Sequence, residues 1–579
     1  MTSSAAPASA EVLPVPSVPP AFPAFTRAQK VFTLLGALLG LLLAALDQTI
    51  VATAGPAIQA DLRIPASLYA WLTTSYMVAS TMMVPVWGKL SDVLGRRTVL
   101  AAGILVFLAG SFLCGMARST LALILFRAVQ GLGSAALFTA ALAVVADLFE
   151  PRERGKYQGL FGAVFGVSSV VGPLVGGFIT DHLGWHWVFF VNLPVGAVAL
   201  ALVLLRMPRL RPHGAGRGGL DLPGAGALAM AVVPLLLALS LGQGGGGAWG
   251  WSSWRILGLL ALAGVGTAVF LRVEARAEEP LLDLKLFRLR AFSAGNAAVF
   301  IIGAAFLSGV VFLPLFMVNV VGLSATRAGL TITPLTLGVV AGNVLSGQWV
   351  SRLGRYKVLL LGSLVLLTVG FALMGLTLTP ESTQAEVTVK MVLVGLGLGP
   401  SIPLYTQAIQ NAVPPQRIGV ATSSATFFRQ LGMTMGVALL GTVFAATLSR
   451  ELETRMPAAT AGLPESARSQ VMVAAPGTRG EGGPTAEAFQ AGEVKAQLRT
   501  EFDAERRGAG AAQRARVDAE ETRALESVDR AQQALKESFT RGVSAVYRVA
   551  IFIALLALLV TCFLPEQPLK RHRGPAPAE

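Results

Sequence analysis

Fourteen separate stretches of this 579-residue chain are long and apolar enough to cross a lipid bilayer, and nothing else in the sequence constrains its fold as tightly. A hydrocarbon core ~30 Å thick takes about 20 residues of helix at a rise of ~1.5 Å per residue. The segments are 30–53, 67–87, 98–116, 120–144, 157–180, 187–205, 224–242, 256–271, 293–317, 328–349, 357–378, 387–408, 419–446 and 543–564. The eighth is short, but Trp249, Trp251 and Trp254 before it suit an interfacial aromatic belt. In lipid every backbone polar group must bond within its own structure, so the expected fold is an all-α polytopic membrane protein. Charged residues make up 13% of the chain, against about 25% in soluble domains. That apolar richness excludes soluble and disordered classes alike.

The positive charges then orient the spans. With the N-terminus inside, inner segments hold 24 of the 46 Lys and Arg, in clusters such as Lys89, Arg96 and Arg97, or Arg152, Arg154 and Lys156. Short outer loops hold five: Arg63, Arg118, Arg255, Arg327 and Lys390. The positive-inside rule therefore predicts a multi-pass protein of the cell (inner) membrane with both termini cytoplasmic. It also accounts for the net charge of +14 without nucleic acid, because the basic residues are spread over every inner loop. Residues 1–29 read as a disordered tail, and 565–579 as a second cytoplasmic tail. Cys114 and Cys562 lie in apolar stretches and offer no disulfide framework.

One outer segment differs. Residues 450–541 carry 14 basic and 15 acidic residues, and long loops translocate regardless of charge. Residues 457–490 read as irregular. From Ala511 the pattern turns helical, with Val517, Leu525, Val528, Leu535 and Phe539 on one stripe. Three readings are open: the stripe packs on its own neighbour as a helical hairpin, docks a separate extracytoplasmic partner, or stays solvated.

An ionisable residue inside a span is a functional hypothesis by default. Asp47 lies about 12 Å below the outer boundary in the first span, and Arg127 roughly 10 Å deep in the fourth. Their matched depth allows a buried ion pair, either a fixed structural link or a proton switch. Asp47 is the one acid deep within any of the fourteen segments, so proton coupling has a single candidate carrier. Arg429 sits near mid-membrane in the thirteenth span with no acid in its half to neutralise it. It either bonds to carbonyls and to Gln407, Gln410 or Gln430, or meets a substrate. The fifth span, Gly166 to Gly177, holds small residues four apart and a Gly172-Pro173 pair, which suits close helix approach and a kink. No phosphate-binding Gly-x-x-x-x-Gly-Lys-[Ser/Thr] loop occurs, so energy for uphill movement would come from an ion gradient or from another chain.

Finally, the chain repeats. Gly88-Lys89-Leu90-Ser91-Asp92-Val93-Leu94-Gly95-Arg96-Arg97 returns at 347–357 as Gly347-Gln348-Trp349-Val350-Ser351-Arg352-Leu353-Gly354-Arg355-Tyr356-Lys357, with both glycines offset by 259 positions. Two related halves with a substrate route between them are a transporter design.

These motifs together resemble the major facilitator superfamily, in its fourteen-helix drug:proton antiporter branch. Gly88 to Arg97 is similar to that family's inner-loop signature, and Arg127-Ala128-Val129-Gln130-Gly131-Leu132-Gly133 to its fourth-helix signature. Gly172, Pro173, Gly176 and Gly177 resemble its fifth-helix antiporter motif. Leu46 to Val51 resembles the start of its first-helix pattern, and Trp185 to Pro194 the approach to its sixth helix. The resemblance covers 30–449 and 542–565. It implies two six-helix halves, with helices 7 and 8 as an insertion within 206–292. It implies that Asp47 is the protonation site and Arg127 its partner. Asp92 and Arg96, with Gly88, Gly95 and Arg97, would form an inner-face latch, and Gly172 and Pro173 a hinge or seal between halves. The sequence departs from the pattern at Ser351, where the second copy lacks its acid, and at Ala52 to Pro56. Its outer loop also looks longer than the family's usual one.

The sequence thus predicts a proton-coupled efflux transporter, with no enzymatic activity and no cofactor or metal beyond the proton gradient. Its domains would be 30–205, 206–292, 293–449, the 450–541 loop and the last helix, 542–564. Cargo would be amphiphilic cationic or neutral compounds, on the reasoning that a lone buried carboxylate suits one positive charge. Candidate lining residues are Trp71, Tyr76, Gln130, Asn296, Asn343, Gln407 and Arg429. Resemblance to multidrug efflux proteins carries an expectation of antibiotic resistance, and a monomer would suffice. The rival readings are a lipid or siderophore exporter that uses the outer loop to dock a partner, and a non-transporting sensor or scaffold.

Overall fold

The computed structural model describes residues 25–69, 71–208, 219, 221–242, 250–323, 331–465, 467–468, 471, 491–508 and 510–566. Trp249, residues 1–24 and 567–579 of the tails and all of 472–490 lie outside these residues, and with them the expectations of disorder and irregularity made there.

The first half comprises α1 (Arg27–Asp61), α2 (Trp71–Leu94), α3 (Arg96–Gly115), α4 (Thr120–Leu148), α5 (Pro151–Leu183) and α6 (His186–Arg206). An inserted pair follows, α7 (Leu222–Leu241) and α8 (Trp254–Arg276). The second half comprises α9 (Arg290–Asn319), α10 (Ile332–Leu353), α11 (Lys357–Thr377), α12 (Gln384–Asn411) and α13 (Ile418–Ala459). After α14 (Ala491–Gly508), α15 (Ala511–Cys562) completes it.

Twelve of the described helices are long and apolar enough to cross a membrane. The other two of the fourteen expected spans form α2 and α10, of 24 and 22 residues, which are not among the twelve. Their composition has a physical reason. α2 packs on α13 and α10 on α5, so both face the opposite half rather than lipid alone. Thr73, Thr74 and Ser75 in α2, and Thr336, Asn343 and Gln348 in α10, dilute their hydropathy accordingly.

Within the first half α4 is central, packing on α1, α2 and α3. Its small residues allow this: a Cβ on Gly133 would meet Phe107 Cα at 2.7 Å, so only glycine permits the two backbones to approach so closely. In the second half α13 packs on α9 and α15. The pair α7–α8 leans on both halves: Thr74 and Ser240 share a hydrogen bond of 2.8 Å, and Trp251 Nε1 donates to Thr442 Oγ1 of α13 at 3.1 Å.

The two repeat copies have matching backbones. Gly95 and Gly354 both take positive φ, +88° and +68°, a conformation that favours glycine. Gly88 and Gly347 both sit where the halves touch, against Ser423 and against Gly155.

The domain limits at 450 and 541 need correction. α13 runs unbroken to Ala459 and α15 begins at Ala511, so both limits fall inside helices that continue past the bilayer. At 42 and 52 residues these helices are about 63 and 78 Å long, twice the hydrocarbon thickness or more. Val517, Val528, Leu535 and Phe539 are buried in one apolar cluster with Leu448, Leu452 and Met456 of α13 and Leu498 and Phe502 of α14. Leu525 is half-buried. The stripe therefore packs on the chain's own helices as a hairpin, and among the described residues it offers no open apolar face to a partner.

Ion pairs flank this hairpin. Glu451 accepts from Arg455 at 2.8 Å and from Arg541 at 3.1 Å, and Arg455 also pairs with Glu537. Burial opposes ionisation of Glu451, but the two arginines outweigh it and hold the carboxyl below its ordinary value. A lowered carboxylate pKa contributes stability that is full above the unfolded pKa and lost as pH falls through the folded one. We expect hydrogen exchange in 447–459 and 533–545 to accelerate as pH falls below the ordinary glutamate range, after correction for intrinsic rates. In Glu451→Gln that acid-dependent step should shrink; an unchanged profile would contradict the assignment.

Candidate functional site

Asp47 is 1% exposed, and three side chains occupy its carboxylate. Arg127 Nη1 donates to Oδ2 at 2.5 Å, Gln130 Nε2 to Oδ1 at 2.8 Å, and Asn192 Nδ2 to Oδ1 at 3.3 Å. Arg127 and Gln130 are three residues apart on α4, which places both on one face. The guanidinium also donates to Gln130 Oε1 at 2.8 Å and, through Nε, to Leu72 O at 3.1 Å. Its carbon lies 4.4 Å from the centroid of the Tyr76 ring, whose hydroxyl donates to Ser134 Oγ at 2.6 Å. Around Asn192 the network continues to Ser111 Oγ at 3.0 Å, which donates to Phe189 O at 2.9 Å.

The glycines of this motif let the neighbours close in. A Cβ on Gly131 would collide with the Tyr76 carbonyl, and one on Gly110 of α3 would reach Gln130 N at 2.6 Å. Thus Arg-x-x-Gln supplies the polar face and Gly-x-Gly the approach. A buried ion pair is sustained only when its remaining hydrogen-bonding groups are satisfied too, and Gln130, Asn192 and Leu72 O do this here.

α4 also reaches the second candidate site. Asp147, 20 residues after Arg127 and so about 30 Å along the helix, accepts from Arg96 Nε at 2.7 Å. Arg96 Nη1 donates to Asp92 Oδ1 at 2.6 Å. Asp92 in turn caps the start of α13 in the other half: Gly419 N donates to Oδ1 and Val420 N to Oδ2, each at 2.9 Å. An anion at a helix N-terminus meets unpaired N–H groups and the positive end of the dipole, each such interaction worth about 0.3–2 kcal/mol. Arg97 stands apart and donates to Leu204 O. In the second copy Ser351 Oγ bonds to Gln348 O of its own helix at 2.7 Å and makes no such cross-half cap.

Further cross-half approaches line α5 and α10. Gly155 faces Gly347, Gly159 and Gly162 face Asn343, and Gly166 faces Val340. Gln158 Nε2 donates to Gln410 Oε1 at 3.2 Å. These contacts run from the basic-loop face towards mid-membrane, so the halves are closed together there. Gly172, expected with Pro173 as a hinge or seal between halves, packs within the first half, and so does Gly176. A Cβ on Gly172 would reach Thr49 Cβ at 2.6 Å, and one on Gly176 would reach Ile50 O at 3.1 Å. Thr49 Oγ1 adds a hydrogen bond to Ser168 O at 3.0 Å. These residues clamp α5 onto the helix bearing Asp47, while Pro173 follows inside α5 and Gly177 meets nothing within 4 Å.

The expected lining residues divide. Tyr76 and Gln130 belong to the Asp47 cluster. Asn343 and Gln407 are buried at the contact between halves, beside Gly162 and Gly155. Asn296 is engaged internally: its Nδ2 donates to Phe292 O at 2.9 Å, and its Oδ1 accepts from Ser424 Oγ at 3.0 Å. Trp71 is half-buried at the start of α2. Arg429 lines a cavity with Val299, Ile302, Ser401, Ile402, Tyr405 and Thr406. Sequence reasoning missed Asn192, Ser111 and Asp147. Among the described residues no three His, Cys, Asp or Glu side chains gather as metal ligands.

Known proteins share the family and the fold. The chain matches the Major Facilitator Superfamily over residues 37–437. It is 38% identical to "Multidrug transporter protein MdtP" of Bacillus subtilis (strain 168), covering 76% of this chain and 80% of the relative. It is 39% identical to "Multidrug resistance protein 3" of the same organism, over 72% and 80% of the two chains. With "Tetracenomycin C resistance and export protein" of Streptomyces glaucescens the identity is 35%, over 72% and 76%. Among solved structures, the human organic anion transporter MFSD10 superposes with a TM-score of 0.53 at 16% identity, over 72% of this chain and 94% of that one. At that identity the likeness concerns the fold alone.

Proposed function

The chain belongs to the major facilitator superfamily, and from that premise we propose that it is a proton-coupled efflux transporter of amphiphilic small molecules working by alternating access. Relatives named for multidrug transport, and for export of tetracenomycin C, favour outward movement of such compounds. The observation that carries the reading is the course of α4. One helix holds Arg127 against Asp47 at one end and Asp147 against the Arg96–Asp92 latch at the other.

Protonating Asp47 removes the charge that holds Arg127, so the pairing of α1 with α4 weakens. Two routes lead from there to the interface between halves. α4 carries the change through Asp147 and Arg96 to Asp92 of α2, which caps α13. α1 carries it through Gly172 and Gly176 to α5, which faces α10. The arrangement described above, closed at the basic-loop face, is one of the two states; opening the Asp92 cap gives access to the other. By the positive-inside rule the basic face is cytoplasmic, in the cell (inner) membrane, and both termini lie there. A monomer contains the whole circuit. Asp47 offers no open carboxylate to a cationic cargo, since Arg127, Gln130 and Asn192 occupy it.

The test is transport in proteoliposomes. An imposed pH gradient should drive accumulation of an amphiphilic dye against its own gradient, and a protonophore should abolish it. Accumulation that survives the protonophore would contradict proton coupling.

A further inference from the structure

We propose that Arg429 receives an anionic group of the transported molecule, so that the second half selects amphiphilic weak acids, such as carboxylates, sulfonates and phenolates; this rests on the efflux reading. Arg429 sits 11 residues into α13, about 16 Å along the helix and therefore deep in the membrane. Its backbone is held tightly: a Cβ on Gly303 of α9 would lie 2.5 Å from Arg429 O, and Gly432 packs against the Phe300 carbonyl. Arg429 lines a cavity together with Val299 and Ile302 of α9 and with Ser401, Tyr405 and Thr406 of α12.

The polar neighbours in that cavity are already engaged elsewhere. Ser401 Oγ donates to Leu398 O at 2.5 Å, Thr406 Oγ1 donates to Ile402 O at 2.7 Å, and the Tyr405 hydroxyl bonds to Thr561. Among the described residues no hydrogen bond or ion pair reaches the Arg429 guanidinium. The hydroxyls keep lone pairs, but among the described residues none is hydrogen-bonded to the guanidinium, so five N–H donors and a full positive charge face a mainly apolar cavity with no partner acceptor. An intramembrane cation with no countercharge is costly to maintain, and such residues mark substrate pathways. An oxyanion would restore the missing acceptor, in the fork geometry that guanidinium offers to carboxylate. In this closed state the cavity measures only about 10 Å³, so Val299, Ile302 and the Tyr405 ring would flank the apolar body only once the halves part. Arg127, the other deep arginine, is unsuited to this role because Asp47 already neutralises it.

The test compares three probes that share one aromatic body: 1-pyrenebutyrate, neutral 1-pyrenebutanol, and 4-(1-pyrenyl)butyl-trimethylammonium. Binding is read by pyrene anisotropy on the full chain in phosphatidylcholine nanodiscs, after subtracting partition into empty discs. Pyrenebutyrate should bind at least ~10-fold more tightly than the ammonium probe. Arg429→Gln should cost the anion about 10- to 100-fold and the other two less than about twofold. Arg429→Lys should retain the sign preference. Equal affinity for anion and cation, or an equal loss of all three probes in Arg429→Gln, would overturn the proposal. Because binding is read without transport, a protein that pumps but ignores sign refutes this site alone. A protein with the sign preference intact and no proton-driven accumulation refutes the efflux reading alone.

Discussion

Arg127→Leu should be the most damaging single substitution in the transmembrane bundle, and Asp47→Asn should partly cure it. Removing the arginine strands a carboxylate that is 1% exposed, with only the amides of Gln130 and Asn192 left to hold it. Breaking a buried pair from one side costs about 3–5 kcal/mol, because the remaining charge is uncompensated. A large fall in thermal midpoint in detergent is expected, with poor recovery of monodisperse protein. The double variant Asp47→Asn/Arg127→Leu leaves no unpaired charge at this site, and most of the lost stability should return. Transport should not return, since the proposed proton carrier is gone. Equal instability of the single and double variants would mean that the two residues are not energetically coupled.

The second large effect is expected at the contact between halves. A Cβ on Gly347 would lie 2.7 Å from the Gly155 carbonyl carbon, and both sides of that contact are backbone. No flexible side chain can move aside, so Gly347→Val should wedge the halves apart at the basic face. Overpacking of about 1–3 kcal/mol would lower the population of the closed state ~5- to 150-fold. The readout is a cysteine at Asn343, buried beside Gly162, introduced by Asn343→Cys in a Cys562→Ser background. Reaction with a membrane-impermeant maleimide from the basic face should be slow in the parent and fast in Gly347→Val, while transport falls by a similar factor. Slow labelling in both would show that the contact does not govern access.

These two sites were legible in the sequence to different degrees. Burying Asp47 or Arg127 alone is so costly that a matched depth in two spans was enough to suggest a pair. The glycine repeat signalled its turns equally well, since Gly95 and Gly354 both take positive φ. Partners were harder to read. Small residues at Gly172 and Gly176 announce a close approach but not what approaches, and Thr49 and Ile50 of the same half turned out to be there. Asn192 and Ser111 were missed because an uncharged polar residue in a span can bond to its own helix at little cost. Asp147 was missed because it stands at the end of a span beside a basic loop, where an acid looks like ordinary surface.

Boundaries failed for a different reason. Hydropathy reports where lipid ends, whereas a helix ends where its hydrogen bonds stop being supported. α13 and α15 continue beyond the bilayer because Leu452, Met456, Leu535 and Phe539 bury one another's apolar surface there. At Asp47 the sequence suggested Arg127 as a partner, and the structure adds Gln130 and Asn192 on the same carboxylate.

The central claim is that Asp47 carries the proton exchanged for cargo. It is tested most directly by measuring proton release from the purified protein, in weakly buffered detergent solution with a pH indicator, as a transported amphiphile is added near neutral pH. The account predicts a release that saturates with the ligand in the wild type and is absent in Asp47→Asn, although the variant still binds the ligand. Release of undiminished size in a ligand-binding Asp47→Asn protein would contradict it, and the proton would have to be carried elsewhere.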